Sequence, residues 1–581
     1  MKKYLALAIV PIVLIAWGLF GATELTTSSF HALIDYQTPY VDKLTPGNTG
    51  DPLTSQLIIV VADGLRLDAS QQMPNVNALR AKGADRVMRV GQPSLSLPGW
   101  TVIGTGAWQE QHGQTTNFDG HLIPLDTIFL AARRAGLSTA LTGDESWKTL
   151  YGTQVDAMMV EQGPADPHHD MDGVRRQDDA IEADALKMLK DNQPNLLLIH
   201  FTAPDNAYHG YGVFSPQAQR AVQDVDARVG RLMQAVDLSK TTIFFTADHG
   251  HIDRGGHGGP EPVVMNVPLV AAGNAVKPGE YGLAMQTDIA PTAAVLLGTS
   301  LPTDNQGDPM FDMLNTTAPV QAQRSVDWAQ EIATRYDSIA KVIGVGTIAH
   351  PKLADAQAAL AAGNDAAATT AARAEVNATR DRAAVLRGDR LQQEQIARTP
   401  IVLLFALAFA AYSWLMWKLK WNFKIPLIGA AVYFVIYYVL FFGRGYYFSL
   451  SMLNEESEIT SWFAARTIDA IIALLIVSMV VGALSRGSSK YQAALNMLNA
   501  AFLIAAILWL QVMFFFWLYG FTWPWFIPDL VLGFKFYLDV LQTGAFMVKS
   551  PPIPTILILP LIAIGVKWLA EKVPVPAIQR S

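Results

Sequence analysis

The chain has 581 residues, room for two or three domains, but 51% apolar and only 16% charged residues with a mean hydropathy of +0.22 are not a soluble average, so part of it is expected in lipid. The absence of cysteine excludes disulfides, thiolate nucleophiles and Cys-ligated zinc, leaving His, carboxylate or hydroxyl ligands for any metal. A net charge of -7 with no Lys/Arg-rich block gives no basis for nucleic-acid binding.

In chain order, Lys2 and Lys3 precede an apolar run from Leu5 to Phe20 broken only by Pro11 and Gly18. This predicts an N-terminal membrane anchor over residues 1–22; the alternative is a signal peptide cleaved near Gly21-Ala22-Thr23. Both place the adjoining domain outside the cytoplasm. Residues 54–315 are expected to form an α/β domain, because the short apolar runs 56–63, 195–202 and 241–248 suit buried parallel strands and alternate with helical patterns. Ser215-Pro216 opens one such helix, and Val222, Val225, Val229, Leu232 and Val236 keep its spacing. Each strand run leads within a few residues to an acid, and ligands of open α/β sheets bind at the carboxyl ends of strands.

Residues 317–396, rich in Ala, Gln, Arg and Asp, predict helices near 320–343 and 352–395, a hairpin or stalk. Beyond Thr399 the apolar stretches 400–417, 425–443, 467–485, 494–519 and 553–571 are each long enough to cross about 30 Å of hydrocarbon, making a C-terminal bundle over 399–575. Lys418, Lys420 and Lys424, then Arg486 and Lys490, then Lys567, Lys572 and Arg580 mark cytoplasmic ends, while Glu455, Glu456 and Glu458 mark an outer loop. Residues 525–550, interrupted by Asp529, Lys535 and Asp539, suit an interfacial or re-entrant piece, the alternative being a sixth C-terminal span. Arg444, Arg466 and Asp469 fall at span ends, where interfacial placement accounts for them. The aromatic stretch 514–526 suits an interfacial belt.

Five elements of the α/β domain carry chemistry: Asp63 in VVADG, Ser96 in PSLSLPGW, Asp205 and His209 in APDNAYHG, Asp248 and His249 in TADHGH, and His257 in GGHGG. Six of these residues are of the types that hold zinc or a similar cation, and the seventh is a hydroxyl nucleophile. Phosphoryl transfer needs charge neutralisation more than covalent help, and two cations about 4 Å apart supply it. Pro98 suits the first turn of a helix, which would put Ser96 at a helix N-terminus, where backbone N–H groups favour an anion. Ser94 is the competing nucleophile. No GxxxxGK[ST] phosphate loop is present.

The order and spacing of these elements resemble the alkaline phosphatase superfamily, in particular its type I phosphodiesterase/nucleotide pyrophosphatase branch, over about residues 55–310. The resemblance implies a mostly parallel central sheet flanked by helices and two Zn2+ ions, one held by Asp205, His209 and His257 and the other by Asp63, Asp248, His249 and the nucleophile Ser96. It also implies that Asn117, in HGQTTN, helps bind a phosphoryl oxygen together with the backbone amide of Leu97. PSLSLPGW, GDESWKTLYG and HIDRGGHGGPEP are further similar to segments of the GPI ethanolamine-phosphate transferases, whose layout of anchor, external domain and C-terminal spans also looks alike. Trp147 and Lys148 of the second segment are expected to line the substrate pocket. Trp100 stands where a sulfatase would carry Arg, so formylglycine chemistry is not expected.

The expected protein is thus an enzyme of a bacterial inner membrane, its α/β catalytic domain periplasmic and its substrate a phosphodiester, with a phosphoethanolamine-type lipid head group. The alternatives are a hydrolase of nucleotides or other soluble diesters, and a membrane scaffold or transporter with a regulatory external domain. His168-His169, in an acidic Pro-containing stretch, is expected to be a solvated loop, and His112 and His251 polar loop or supporting residues.

Overall fold

A computed structural model describes residues 5–118, 120–454, 458–547 and 554–573, so Lys2, Lys3, Glu455, Glu456 and Arg580 of the charge argument lie outside the described residues. The chain divides into two compact units, one of Leu33–Arg390 with Pro524–Ile527, the other of Met1–Ala32, Leu391–Trp523 and Pro528–Ser581.

The first unit is built on a nine-stranded sheet: β1 (Gln56–Ala62), β2 (Ala84–Arg89), β3 (Thr139–Asp144), β4 (Ala157–Glu161), β5 (Leu196–Phe201), β6 (Thr241–Thr246), β7 (Asn266–Gly273) and the short β8 (Gly279–Glu280) and β9 (Ala284–Met285). Their order is β4-β3-β5-β1-β6-β7-β2-β8, with β9 also on β2. The five strands from β4 to β6 are mutually parallel, and β7 is antiparallel to both β6 and β2. β1 is central, in register Leu57 to Leu196 on one side and Leu57 to Thr242 on the other. Six of its seven residues are buried, the continuous apolar run that a strand with parallel neighbours on both sides requires. The mostly parallel α/β sheet is therefore present, and the carboxyl ends of β1, β3, β5 and β6 open on the same edge.

The helix Pro216–Ala235 starts as its sequence predicts: Ser215 Oγ accepts from the Ala218 amide at 3.1 Å, and Pro216 takes the first turn. Val222, Val225, Val229 and Leu232 are buried, while Val236 lies past the end in extended conformation. After the sheet come the helices Ala318–Ile343, Pro351–Ala361 and Asp365–Lys418. The third runs unbroken for 54 residues, about 81 Å, with Pro400 inside it, so no break separates residues 396 and 399. Ala322, Ala329, Ala356, Ala368 and Ala372 share an apolar cluster with Trp328, Ile332 and Leu301, their small side chains permitting close approach of the helices. Arg335, fully buried, sits 2.8 Å from Asp304, and Arg380 sits 2.6 Å from Asp308. These contacts make the Ala-rich segment part of the α/β body rather than a free stalk.

In the second unit and its flanks, five helices among the described residues are long and apolar enough to cross a membrane: Ile9–Ile34, Asp365–Lys418, Lys424–Gly443, Ile459–Leu484 and Lys490–Tyr519. By these helices the chain is an integral membrane protein. The 553–571 stretch forms the helix Thr555–Lys572, 18 residues or about 27 Å, with Lys567, Glu571 and Lys572 in its last two turns. Between 525 and 550 the helix Leu530–Gly544 has 15 residues, about 22 Å, short of the roughly 30 Å of a hydrocarbon core.

Candidate active site

The site is assembled where the parallel strands end. Asp63 follows β1, and its backbone amide donates to the Phe201 carbonyl of β5 at 2.9 Å. Asp205 and His209 lie one turn apart on the short helix Ala203–Tyr211 after β5, four residues being the spacing that puts two side chains on one face. Asp248 and His249 follow β6. Gly64 holds φ +65, and a Cβ there would come within 2.5 Å of His251 Nε2, so the turn after Asp63 needs glycine on both counts.

Ser96 begins the helix Ser96–Thr105, all of which is buried, with Leu95 extended before it. The helix is packed so closely on the Asp248 turn that a Cβ on Gly99 would lie 3.0 Å from the Asp248 carbonyl, and Trp100 Nε1 donates to Asp248 Oδ2 at 2.9 Å. Ser96 Oγ is 3.1 Å from His249 Nε2 and 3.4 Å from Asp63 Oδ1. Ser94 is used otherwise: its hydroxyl donates to the Gly259 carbonyl at 3.0 Å. Asn117 Oδ1 accepts from the Leu97 amide at 3.0 Å, which leaves the Nδ2 hydrogens as the donor face of that side chain.

The imidazoles share one arrangement. His249, His251 and His257 each turn Nδ1 to a backbone carbonyl, of Gly250 at 3.2 Å, of Gly255, and of Ser94 at 3.0 Å respectively. A carbonyl only accepts, so Nδ1 carries the proton and Nε2 the lone pair. The lone pairs converge: His251 Nε2 is 2.9 Å from Asp205 Oδ1, His257 Nε2 is 3.0 Å from His209 Nε2, and His249 Nε2 is 3.5 Å from Asp63 Oδ1. Burial lowers the pKa of His249 and His251 to about 4 and that of His257 well below its usual value, so these rings are neutral at pH 7. Lone pairs and carboxylate oxygens at such distances repel one another; a divalent cation between them makes the same contacts attractive.

The carboxylates agree. Burial, then Asp248 and Asp205, raise the pKa of Asp63 well above the carboxylate range, and burial pushes Asp248 up to about 6. Asp205 pays the same burial cost, but the neighbouring His209 holds it well below its usual value. Two donor sets have ligand atoms within 4.8 Å of one another: Asp205, His209, His251 and His257, and Asp63, Asp205 and His249. Asp248 borders the second, with Oδ2 3.5 Å from His249 Nε2 and Oδ1 accepting from the Gly64 and His249 amides. All seven motif residues are thus brought together, and the all-N/O donor set suits a zinc-like divalent ion.

Two histidines extend the motif set. His251 completes the four-donor group rather than standing off as a loop residue. His200, the one polar side chain of β5's LLLIHF, is fully buried with Nε2 2.9 Å from Asp63 Oδ2. Its signal in the sequence is a lone His inside an apolar strand run ending at the site. His112 is buried with burial lowering its pKa to about 3, and Nδ1 accepts from the Gln114 amide, apart from the cluster. His168 stacks on His209 at 4.6 Å, and His169 is exposed beside Asp166.

A cleft of about 590 Å³ opens in front of Ser96, lined by Leu97, Trp100, Asn117, Asp144 and Glu145 among others. Trp147 and Lys148 do not line it: Trp147 is fully buried and stacked on Trp100 at 4.8 Å, and Lys148 is exposed elsewhere on the surface. The GDESWK segment instead offers its acids to the cleft, Asp144 at the end of β3 and the exposed Glu145.

Residues 57–258 match the family model described as type I phosphodiesterase / nucleotide pyrophosphatase. The resemblance read from the motifs is met by that match. Among curated proteins, the catalytic subunit of human GPI ethanolamine phosphate transferase 2 is 25% identical over 282 residues, covering 45% of this chain and 28% of its own length. GPI ethanolamine phosphate transferase 1 of Emericella nidulans is 22% identical over 396 residues, 57% of this chain and 41% of its own. The chain therefore spans well under half the length of these relatives. Among solved structures, human ectonucleotide pyrophosphatase / phosphodiesterase 5 aligns with a TM-score of 0.36 and 16% identity over 45% of this chain and 100% of that one.

Proposed function

We propose that this protein is a membrane-anchored phosphodiesterase or phosphotransferase that uses Ser96 as nucleophile with two zinc-type cations and acts on a diester bearing a cationic, phosphoethanolamine-type head group. The observation that carries the reading is Ser96 Oγ at a helix N-terminus, in contact with His249 and Asp63 and beside the converging imidazole lone pairs. Asp205, His209 and His257, with His251 beside them, would hold one cation, and Asp63, Asp248, His249 and Ser96 the other. Bound there, the cations supply charge neutralisation to the phosphoryl group and acidify a hydroxyl.

The chain's own groups do the rest. Ser96 Oγ lies 3.1 Å from His249 Nε2 and 3.4 Å from Asp63 Oδ1, atoms that would be engaged with the cation, so the hydroxyl proton leaves to solvent in the cleft rather than to a separate side-chain base. The Oγ–P bond forms as the bond to the departing alkoxide breaks, the alkoxide takes up a proton, and phospho-Ser96 keeps the head group. Asn117 Nδ2 is the donor for a non-bridging oxygen; the Leu97 amide, expected from the motif to donate there as well, is instead spent on Asn117 Oδ1 and so fixes that side chain's orientation. Water or an acceptor hydroxyl then releases the head group. Asp144 and Glu145 on the cleft wall favour an ammonium and disfavour the polyanion of a nucleotide, which supports a lipid head group over a soluble nucleotide as substrate. The outer face of a bacterial inner membrane is the corresponding location.

Ser96→Ala is expected to lower diester cleavage by more than about a thousandfold with bound metal largely retained. Activity of that variant within tenfold of the parent would overturn the assignment. The mass of the adduct trapped on Ser96 separates phosphoethanolamine, a nucleotide and bare phosphate in one measurement.

A further inference from the structure

The membrane unit holds a buried polar cluster that the phosphoryl chemistry leaves unused. Arg466 and Asp469 lie not at a span end but about two to three turns inside the helix Ile459–Leu484, each only 2% exposed. Asp469 serves two guanidinium groups at once, Arg444 and Arg466, both at 3.0 Å. Among the described residues, one carboxylate between two cations leaves Arg466 in excess, its Nε and Nη1 buried and without a hydrogen-bond partner. The nearby Asp539 is spoken for by Lys535 of its own helix.

The orphaned groups around Arg466 are of one kind. Its guanidinium lies over the rings of Tyr446, at 4.4 Å, and Trp462, at 5.5 Å. Among the described residues Trp462 Nε1 is itself buried and unpartnered, and so is the hydroxyl of Tyr437, a fully buried residue within electrostatic reach of Arg466, Asp469 and Asp539. Buried donors are rarely left unpaired, and ionisable side chains inside a membrane bundle are rarely without a ligand or a path. Four unpaired donors about one surplus cation call for an anion with several acceptor oxygens. Arg444, nearly half exposed, continues the cluster outward, and Val435, Val439 and Ile468 on the same two helices present bare apolar surface.

We propose that this cluster seats the phosphate of a membrane phospholipid, with Arg466 as its principal cation and the Trp462 and Tyr437 side chains as additional donors. The assignment is independent of the reaction at Ser96. It is tested on the full-length chain in detergent by native mass spectrometry, offering phosphatidylglycerol, diacylglycerol or inorganic phosphate. One phosphatidylglycerol is expected to survive activation that strips other lipid, diacylglycerol is expected not to, and millimolar inorganic phosphate is expected not to displace it. Arg466→Gln should weaken retention about tenfold or more, the loss of a charge-assisted contact. Tyr437→Phe should weaken it about fivefold, one hydrogen bond, without lowering the melting temperature of the lipid-free protein, where that hydroxyl has no partner. If Arg466→Gln does not fold, Tyr437→Phe decides. Unchanged retention in the variants, equal retention of diacylglycerol, or displacement by inorganic phosphate would each overturn the proposal.

Discussion

At the scale of single residues, the roles of the histidines are set by what each Nδ1 touches. His257 gives Nδ1 to the Ser94 carbonyl and so commits Nε2 to the cluster; His257→Ala is expected to lose one of two bound metals, read as metal per chain after dialysis. His251 is backed by Gly255 and faces Asp205, so His251→Gln should lower metal affinity by about 10- to 100-fold in a chelator competition while Ser96 stays in place. Retention of full affinity would reduce His251 to a structural neighbour. On the cleft wall, Glu145→Gln is expected to raise KM about threefold for a diester with an ammonium head group and leave a neutral one unchanged, the size of an exposed charge contact. Six of the seven motif residues were legible because acids and histidines that follow strand runs or flank glycines recur in one order along the chain, and the seventh, Ser96, because Pro98 marks the helix start at which it stands. His200 was not, because a His within LLLIHF has the same pattern as a core residue; only its 2.9 Å contact with Asp63 separates the two. Trp147 went the other way: an aromatic beside a site motif suggests a substrate platform, yet it packs beneath Trp100 and supports the wall from behind.

At the scale of elements, strand runs and capped helices were legible because their burial pattern is periodic and local. The continuity of Asp365–Lys418 was not, since a change from Ala-rich to apolar composition marks a change of solvent and not a break in hydrogen bonding. One contact between elements titrates in the accessible range. Asp178, on the helix Met171–Asp191, accepts from the Thr202 amide at 2.9 Å and hydroxyl at 3.1 Å just past β5, while its Oδ2 has no partner among the described residues. Burial pushes its pKa up to about 6, against opposing help from Arg228 and Thr202. Because the folded value lies above the unfolded one, the contribution to stability is fully present below about pH 4 and is lost as pH rises through about 6. The gap between 3.8 and about 6 corresponds to roughly 3 kcal/mol. Asn at 178 keeps the Oδ1 acceptor and never ionises, so Asp178→Asn should gain on the parent chain by up to that amount from pH 4 to pH 8. Parallel melting curves at the two pH values check this; a constant difference between the chains would show that Asp178 is not the titrating group.

At the scale of the whole molecule, the two units are made for different solvents. In the α/β unit the large apolar side chains are buried around the sheet, whereas Leu403, Leu404, Leu407, Trp414 and Trp417 of the long helix are each more than half exposed, which is stable only against hydrocarbon. The cleft, every candidate ligand and the Ala-rich helices as far as Arg390 lie in the first unit, so cleavage of a soluble diester should not need the second. A chain cut to residues 33–390 does lose one piece of its own unit, the Pro524–Ile527 segment, whose Trp525 accepts from the Tyr40 hydroxyl at 2.6 Å and lies under Arg387. The truncated protein is therefore expected to melt at a lower temperature than a version supplied with the 524–527 peptide by fusion. With a small soluble diester both should turn over within about threefold of the full chain, because no group at Ser96 is removed. With a lipid-borne diester in vesicles both should fail, since neither retains the helices that hold the chain in the bilayer. Equal activity on the lipid substrate without the second unit would mean that the membrane helices are not needed even as a tether, and would leave the cleft alone to select the head group.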